Sequence, residues 1–198
     1  LFANESFNTE DVDLFEFTSE ESSPLTRLKS IILSLDWEIN DDILQELDDA
    51  ISKGTAESCL QALWHATDML LMGRYTESEI WIFGEVIGQL SEEIELAARC
   101  QLARRLARSD QAPIQMVTKL AFDDSIDVAG PILRYSERLE NQVLVANARC
   151  KSQQHLFAIS RRKSIDEPVT DVLVERGDQT VVNSVAVNTG ARFSDSGF

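Results

Sequence analysis

The sequence contains little glycine, proline or cysteine. Its 198 residues include 8 glycines, 4 prolines and 3 cysteines. Turn-dense β proteins use many glycines and prolines, so this composition argues against an all-β fold. The cysteines, Cys59, Cys100 and Cys150, are far apart and form no CxxC pair, which argues against a cysteine-based zinc motif. We expect them to be reduced and buried, as in a cytoplasmic protein.

Motifs for chemistry are missing as well. His65 and His155 have no second histidine or cysteine at ligand spacing, so we predict no metal site there. There is no glycine-rich phosphate loop after a strand and no G-x-S-x-G motif. Asp123, Asp124 and Asp127 fit a helix-capping turn, with a weak divalent-ion site as the alternative. We therefore predict no enzymatic activity and no cofactor.

What the sequence does contain is helix-forming residues, chiefly Leu, Ala, Glu, Arg and Ile. Its hydrophobic content of 43% is enough for one core or one elongated stack. No apolar run approaches the roughly 18 residues that a membrane-spanning helix needs. These features predict an all-α protein without a membrane span.

The first 53 residues divide into two predicted parts. Residues 1–22 combine seven acidic side chains and four phenylalanines with no lysine or arginine. No helical period organises them, which is typical of an acidic disordered tail that docks its aromatic side chains on a partner, with a solvated tail that has no partner as the alternative. Residues 23–53 have apolar side chains three and four positions apart, after Ser23-Pro24 as a helix start. They predict an N-terminal helical hairpin.

Residues 54–198 form a predicted helical-repeat domain. Leu106, Leu133 and Ile159 precede similar polar stretches at offsets of 27 and 26 residues, and a fourth register follows 27 or 28 residues later, near Ala186 to Asn188. Each unit combines a short helix, a polar turn and a second short helix, which cannot bury its apolar face alone. We therefore predict helical hairpins stacked as a short HEAT-like α-solenoid.

Two local patterns refine this prediction. Thr76 and Glu79 have the spacing of a capping box, in which each side chain accepts a hydrogen bond from the other residue's backbone N–H. The motif Gly84-x-x-x-Gly88 lies in the helix that follows. In a water-soluble protein it predicts close packing against a neighbouring helix.

Charge is distributed unevenly along the chain. The net charge is −16, composed of −18 in residues 1–98, +6 in residues 99–163 and −4 in residues 164–198. Several basic residues recur near one repeat position, so stacking would align them along one edge. The candidate partner-binding residues are Arg104, Arg105, Arg108, Arg134, Arg161, Arg162 and Lys163.

We interpret this edge as a site for an acidic segment of an unknown protein partner, and an ordinary solvated edge is the alternative. The chain's own residues 1–22 are a second candidate ligand, by intramolecular contact. A nucleic-acid backbone or an anionic surface is a further alternative. The negative net charge and the lack of a base-reading motif disfavour nucleic acid. The resulting hypothesis is a non-enzymatic interaction or regulatory scaffold.

Three segments carry a recognisable pattern: LAFDDSIDVAGPILR at 120–134, EPVTDVLVERGD at 167–178 and GARFSDSGF at 190–198. They resemble a bacterial family catalogued as domain of unknown function 2336, whose pattern is related to HEAT-like and leucine-rich-variant helical repeats. The resemblance extends over about residues 60–198. It implies stacked helical repeats, and it implies no catalytic residues.

Overall fold

The computed structural model describes residues 23–34, 45–50, 55–92 and 94–194. Within these residues the regular structure is helical, apart from one isolated bridge between Ile165 and Ala191. This confirms the predicted all-α fold. The predicted tail, residues 1–22, and both boundaries of the predicted hairpin's second helix lie outside the described residues.

The first five helices are α1 (Pro24–Ser34), α2 (Ala56–Met72), α3 (Glu77–Leu90), α4 (Leu96–Leu106) and α5 (Ile114–Ala121). The next five are α6 (Ile126–Tyr135), α7 (Asn141–Cys150), α8 (Gln153–Ser160), α9 (Glu167–Arg176) and α10 (Gln179–Ala186). Residues 45–50 are also helical. None of the helices in the described parts of the chain has the length and apolar character needed to cross a membrane.

Side-chain caps fix where several helices begin. The Thr76 backbone N–H donates to Glu79 Oε2 at 2.7 Å, and the Glu79 backbone N–H donates to Thr76 Oγ1 at 3.4 Å. This confirms the predicted capping box at the start of α3. Thr55 and Asp178 cap α2 and α10 in the simpler way, each accepting from one backbone N–H.

The helices pack in two rows. In one row, α4 contacts α6, α6 contacts α8, and α8 contacts α10. In the other, α3 contacts α5, and α7 contacts α9. The pairs α5–α6, α7–α8 and α9–α10 connect the rows. The hairpins are thus stacked, and the description of the stack as a HEAT-like solenoid stays a prediction.

The repeat register has a direct counterpart in the core. Leu106, Leu133 and Ile159 are fully buried, and the fourth equivalent position is Val185, also fully buried. Ala186, where the fourth register was expected, is exposed. With Val185 as the fourth position, the successive spacings are 27, 26 and 26 residues, and the fourth register lies just before the place where it was expected. These equivalent apolar side chains lie on helices of the same row, so each repeat buries part of its neighbour.

Hydrogen bonds between repeats complete the ends of the helices in one row. The Arg162 guanidinium donates to the carbonyls of Leu133, at 2.7 Å, and Ser136, at 2.8 Å, at the end of α6. Asn188 Nδ2 donates to the Ser160 carbonyl at the end of α8, at 2.9 Å. These carbonyls have no partner within their own helix. Each repeat therefore caps the one before it.

The other row uses the same device. Asn147, fully buried in α7, donates from Nδ2 to the Ala121 carbonyl at the end of α5, at 2.7 Å. Arg176, at the end of α9, donates to the Ala148 carbonyl of α7. Side chains 26 and 28 residues further along thus satisfy carbonyls that would otherwise be left without donors.

The helix α3 packs tightly against the start of α5 at Gly84. A Cβ atom at Gly84 would lie 2.1 Å from Gln115 Nε2 and 2.7 Å from Pro113 Cβ. At Gly88 the nearest atom, Met116 Sδ, would be 3.7 Å away, which is an ordinary contact. The predicted close packing is confirmed for Gly84. At Gly88 a methyl group would fit, so the packing there does not require glycine.

This difference predicts opposite effects of two alanine substitutions. Gly84→Ala should lower the free energy of unfolding by about 1–3 kcal/mol, because the new methyl group overlaps the stiff Pro113 ring. Gly88→Ala has space for its methyl group and should raise that free energy by up to about 1 kcal/mol through helix propensity. Urea unfolding of the two variants measures both values. Equal effects would contradict the close approach at Gly84.

The capping by Arg162 predicts a second pair of unequal variants. Arg162→Met keeps the aliphatic stem but leaves two carbonyls without donors, and we expect it to lower the free energy of unfolding by about 1–2 kcal/mol. The neighbouring Arg161 is exposed and stacks on a single ring. Arg161→Met should therefore cost less than about 1 kcal/mol. A larger loss for Arg161→Met in urea unfolding would overturn the capping role.

Candidate functional site

Basic side chains from two repeats meet at Tyr135, the last residue of α6. The Arg108 guanidinium carbon lies 4.3 Å from the centroid of the Tyr135 ring, and that of Arg134 lies 4.8 Å from it. Both distances are typical of cation–π contacts. Arg108 follows α4, which packs on α6, so its contact joins consecutive repeats. Tyr135 remains 38% exposed, and the cluster is open to a ligand.

A cavity of about 510 Å³ lies beside this cluster, between α6 and α8 and the start of α10. Arg134 and Arg161 both line it, and Arg161 lies 5.6 Å from the centroid of the Phe157 ring. Asp178 also lines it, but its carboxylate already accepts the Val181 backbone N–H at 2.9 Å. The apolar lining residues are Ile126, Gly130, Pro131, Tyr135, Phe157, Ala158 and Val181.

Two smaller cavities adjoin the first one. One, of about 330 Å³, is lined by Arg108, Tyr135 and Glu137, and the other, of about 250 Å³, by Lys163 together with Arg134 and Arg161. All three cavities share Tyr135, so they form one continuous surface. We call it the basic-aromatic surface and define it by Arg108, Arg134, Tyr135, Phe157, Arg161 and Lys163.

The other three candidate edge residues are not part of the surface as defined. Arg105 donates to Asp68 Oδ1 at 2.5 Å and lies 4.8 Å above the Trp64 ring, which joins α4 to α2. Arg162 is half-buried and also lines the cavity of about 250 Å³, but its guanidinium donates to the carbonyls at the end of α6, and desolvation lowers the pKa of that group. Arg104 is exposed on α4. Five of the seven candidates therefore line the three cavities, and four of them, Arg108, Arg134, Arg161 and Lys163, belong to the surface as defined, since the donors of Arg162 are used at the end of α6.

Sequence reasoning missed the two aromatic members of the surface. Tyr135 directly follows Arg134, and Phe157 precedes Arg161 by four residues. On a helix, residues four apart are neighbours, so the Phe157–Arg161 pair was detectable from spacing. The contact between Arg108 and Tyr135 was not, because it depends on how consecutive repeats stack.

The acidic cluster at the turn before α6 has structural contacts. Asp123 accepts the Ser125 backbone N–H at 2.8 Å and the Arg99 Nε–H at 3.0 Å. Lys151 donates to Asp124 at 2.6 Å, and this hydrogen bond lowers the pKa of Asp124. These contacts fit the capping-turn interpretation. Among the residues that the structure describes, no group of three potential metal ligands lies together.

The remaining chemically distinctive residues are a histidine and the cysteines. His155 is buried, with Nδ1 2.8 Å from Ser152 Oγ and Nε2 3.0 Å from the Asp123 carbonyl oxygen. Nδ1 thus contacts the residue directly before α8, and Nε2 joins α8 to the turn before α6. Cys59 and Cys100 are partly buried, whereas Cys150 is exposed at the end of α7, so the expectation that all three are buried was wrong.

A comparison with the sequences of known families gives a match for residues 128–198. Residues 128–198 match the sequence profile of a family described as "Uncharacterised protein conserved in bacteria (DUF2336)". No curated protein and no solved structure matches the chain. The matched region includes Tyr135, Phe157 and Arg161 but excludes Arg108. Over residues 128–198, about a third of its length, the chain is therefore similar to this bacterial family, which confirms the predicted resemblance for that region.

Proposed function

We propose that the chain is a non-enzymatic, cytoplasmic interaction module whose HEAT-like repeats bind an acidic, aromatic-bearing segment of a partner protein. The observation that carries the proposal is the pairing of Arg134 and Arg161 around one largely apolar cavity. Guanidinium groups form strong, directional hydrogen bonds with carboxylates. An apolar pocket bordered by such groups suits a segment that carries both carboxylates and aromatic rings.

The size of the cavity supports a short contact. A volume of about 510 Å³ lies in the range of pockets that enclose a small ligand. It accommodates a few side chains, and the adjoining smaller cavities extend the contact toward Arg108 and Lys163. A segment crossing from α4 to α8 would touch each part of the basic-aromatic surface in turn.

Two features favour a protein segment over a nucleic-acid backbone. Glu137 lines both of the smaller cavities, so a continuous row of phosphates would meet a carboxylate between the arginines. The guanidinium groups of Arg108 and Arg134 already occupy positions over the Tyr135 ring, which limits base stacking there. The three free cysteines fit a reducing compartment.

Charge reversal at the cavity tests this function. In the full chain, Arg134→Glu combined with Arg161→Glu should weaken binding of a fluorescent twelve-residue peptide of alternating Glu and Phe at least tenfold, or about 1.4 kcal/mol. The reason is that both cations face the same cavity. Fluorescence anisotropy at about 50 mM salt measures the affinity, and thermal melting checks that the variant is folded.

The matched control is Arg74→Glu combined with Arg149→Glu, which changes the net charge equally at two exposed positions outside the surface. It should alter the affinity less than about threefold. An equal loss in both variants, or no binding by the unmodified chain, would refute the proposed site. Tighter binding of a single-stranded oligonucleotide with a steep salt dependence would instead support the nucleic-acid alternative.

A further inference from the structure

Residues 1–22 have the composition that the basic-aromatic surface would recognise. They carry seven carboxylates, four phenylalanines and no basic side chain. The surface offers arginines around an apolar cavity. Charge and apolar character are therefore complementary between two parts of the same chain.

Residues 1–22 connect to the rest of the chain at the start of α1, and contacts with α3 fix the position of that helix. They precede α1, which packs on α3, and Arg27 in α1 lies 3.4 Å from Glu85 in α3. From α1 the contacts run through α3, α5 and α6 to α8. With about 8–10 Å between the axes of packed helices, these four steps add up to about 40 Å measured across the helix axes.

The chain is long enough to cross that distance. An extended chain spans about 3.3–3.6 Å per residue. The sixteen residues from Phe7 to Ser23 reach about 55 Å, and those from Phe2 reach further. The six residues from Phe17 reach only about 20 Å. The phenylalanines nearest the start of the sequence therefore reach the cavity with chain to spare.

We propose that residues 1–22 dock on the basic-aromatic surface of their own chain, with Phe2 and Phe7 in the cavity beside Arg134 and Arg161, and thereby compete with the acidic partner segment. This inference rests on the proposed function, since it assigns that function's binding site an internal competitor. A tethered segment acts at an effective concentration of about 1 mM. If the intrinsic dissociation constant of the contact is near 0.1 mM, the docked form is then about ten times more populated than the undocked form. The partner segment can bind only the undocked form, so its apparent affinity falls about tenfold.

A charge-neutral pair of variants tests the competition. Phe2→Ala combined with Phe7→Ala, in the full chain, should bind the fluorescent Glu/Phe peptide about tenfold more tightly than the unmodified chain. Phe15→Ala combined with Phe17→Ala removes the same groups within the shorter span and should change the affinity less than about threefold. Neither pair alters the net charge, so a general electrostatic effect cannot produce the difference. Unchanged affinity in the first pair would overturn the inference.

Photo-cross-linking locates the contact independently of any partner. With Phe7 replaced by the photoreactive p-benzoylphenylalanine, illumination should join position 7 to residues 126–161 of the same chain, as read by mass spectrometry. The yield should not depend on protein concentration, and it should fall when Arg134 and Arg161 are changed to Glu. Products confined to other regions, or dimers that increase with concentration, would overturn the inference.

The two readouts separate the failure of this inference from that of the proposed function. If the peptide binds with the predicted dependence on Arg134 and Arg161 but position 7 gives no products at 126–161, only the internal competitor is refuted. If the cross-links form at 126–161 but the peptide binds no variant, the docking stands as an intramolecular contact and the partner-binding function is refuted.

Discussion

The structure depends on a shortage of donors that every helix has at its carboxyl end. The last four backbone carbonyls of an α-helix have no amide partner within that helix. In this chain, side chains from the next repeat supply donors, as Arg162 does for α6 and Asn188 for α8. A repeat is therefore completed by its successor, through specific hydrogen bonds as well as apolar contact. This couples neighbouring helices along the stack and makes stability a property of pairs of repeats.

The same constraint determines where the basic-aromatic surface lies. Because Arg162 reaches the carbonyls at the end of α6, the chain leaving α8 is held against that helix end. Arg161, one residue earlier, then lines the same cavity as Arg134. The surface is thus assembled at a junction between repeats, and a ligand bound there would contact α6 and α8 together. A ligand that binds only the folded junction would raise the free energy of unfolding, and a tighter ligand would raise it more.

Much of the helical fold could be predicted because its determinants are local. Apolar spacing, the Thr76 capping box and the repeat register each lie within a few residues or one repeat length. The site could be predicted only in part. Arg161 and Arg162 are adjacent and chemically identical, yet Arg161 is exposed and Arg162 is half-buried against the end of α6. Which guanidinium meets a carbonyl depends on the preceding repeat, and the residue type does not contain that information.

The charge asymmetry has two separate physical consequences. Arg138 donates to both carboxylate oxygens of Glu77, at 2.7 and 2.5 Å, and Arg105 pairs with Asp68. These ion pairs join the basic part of the chain to its acidic N-terminal half and so stabilise the fold. Arg108 and Arg134 lie instead over an aromatic ring. A guanidinium on a ring face keeps its charge and its edge N–H donors for a carboxylate. The guanidinium groups of Arg108 and Arg134 therefore remain able to attract a carboxylate from outside the fold. They do so beside a cavity that apolar side chains also line.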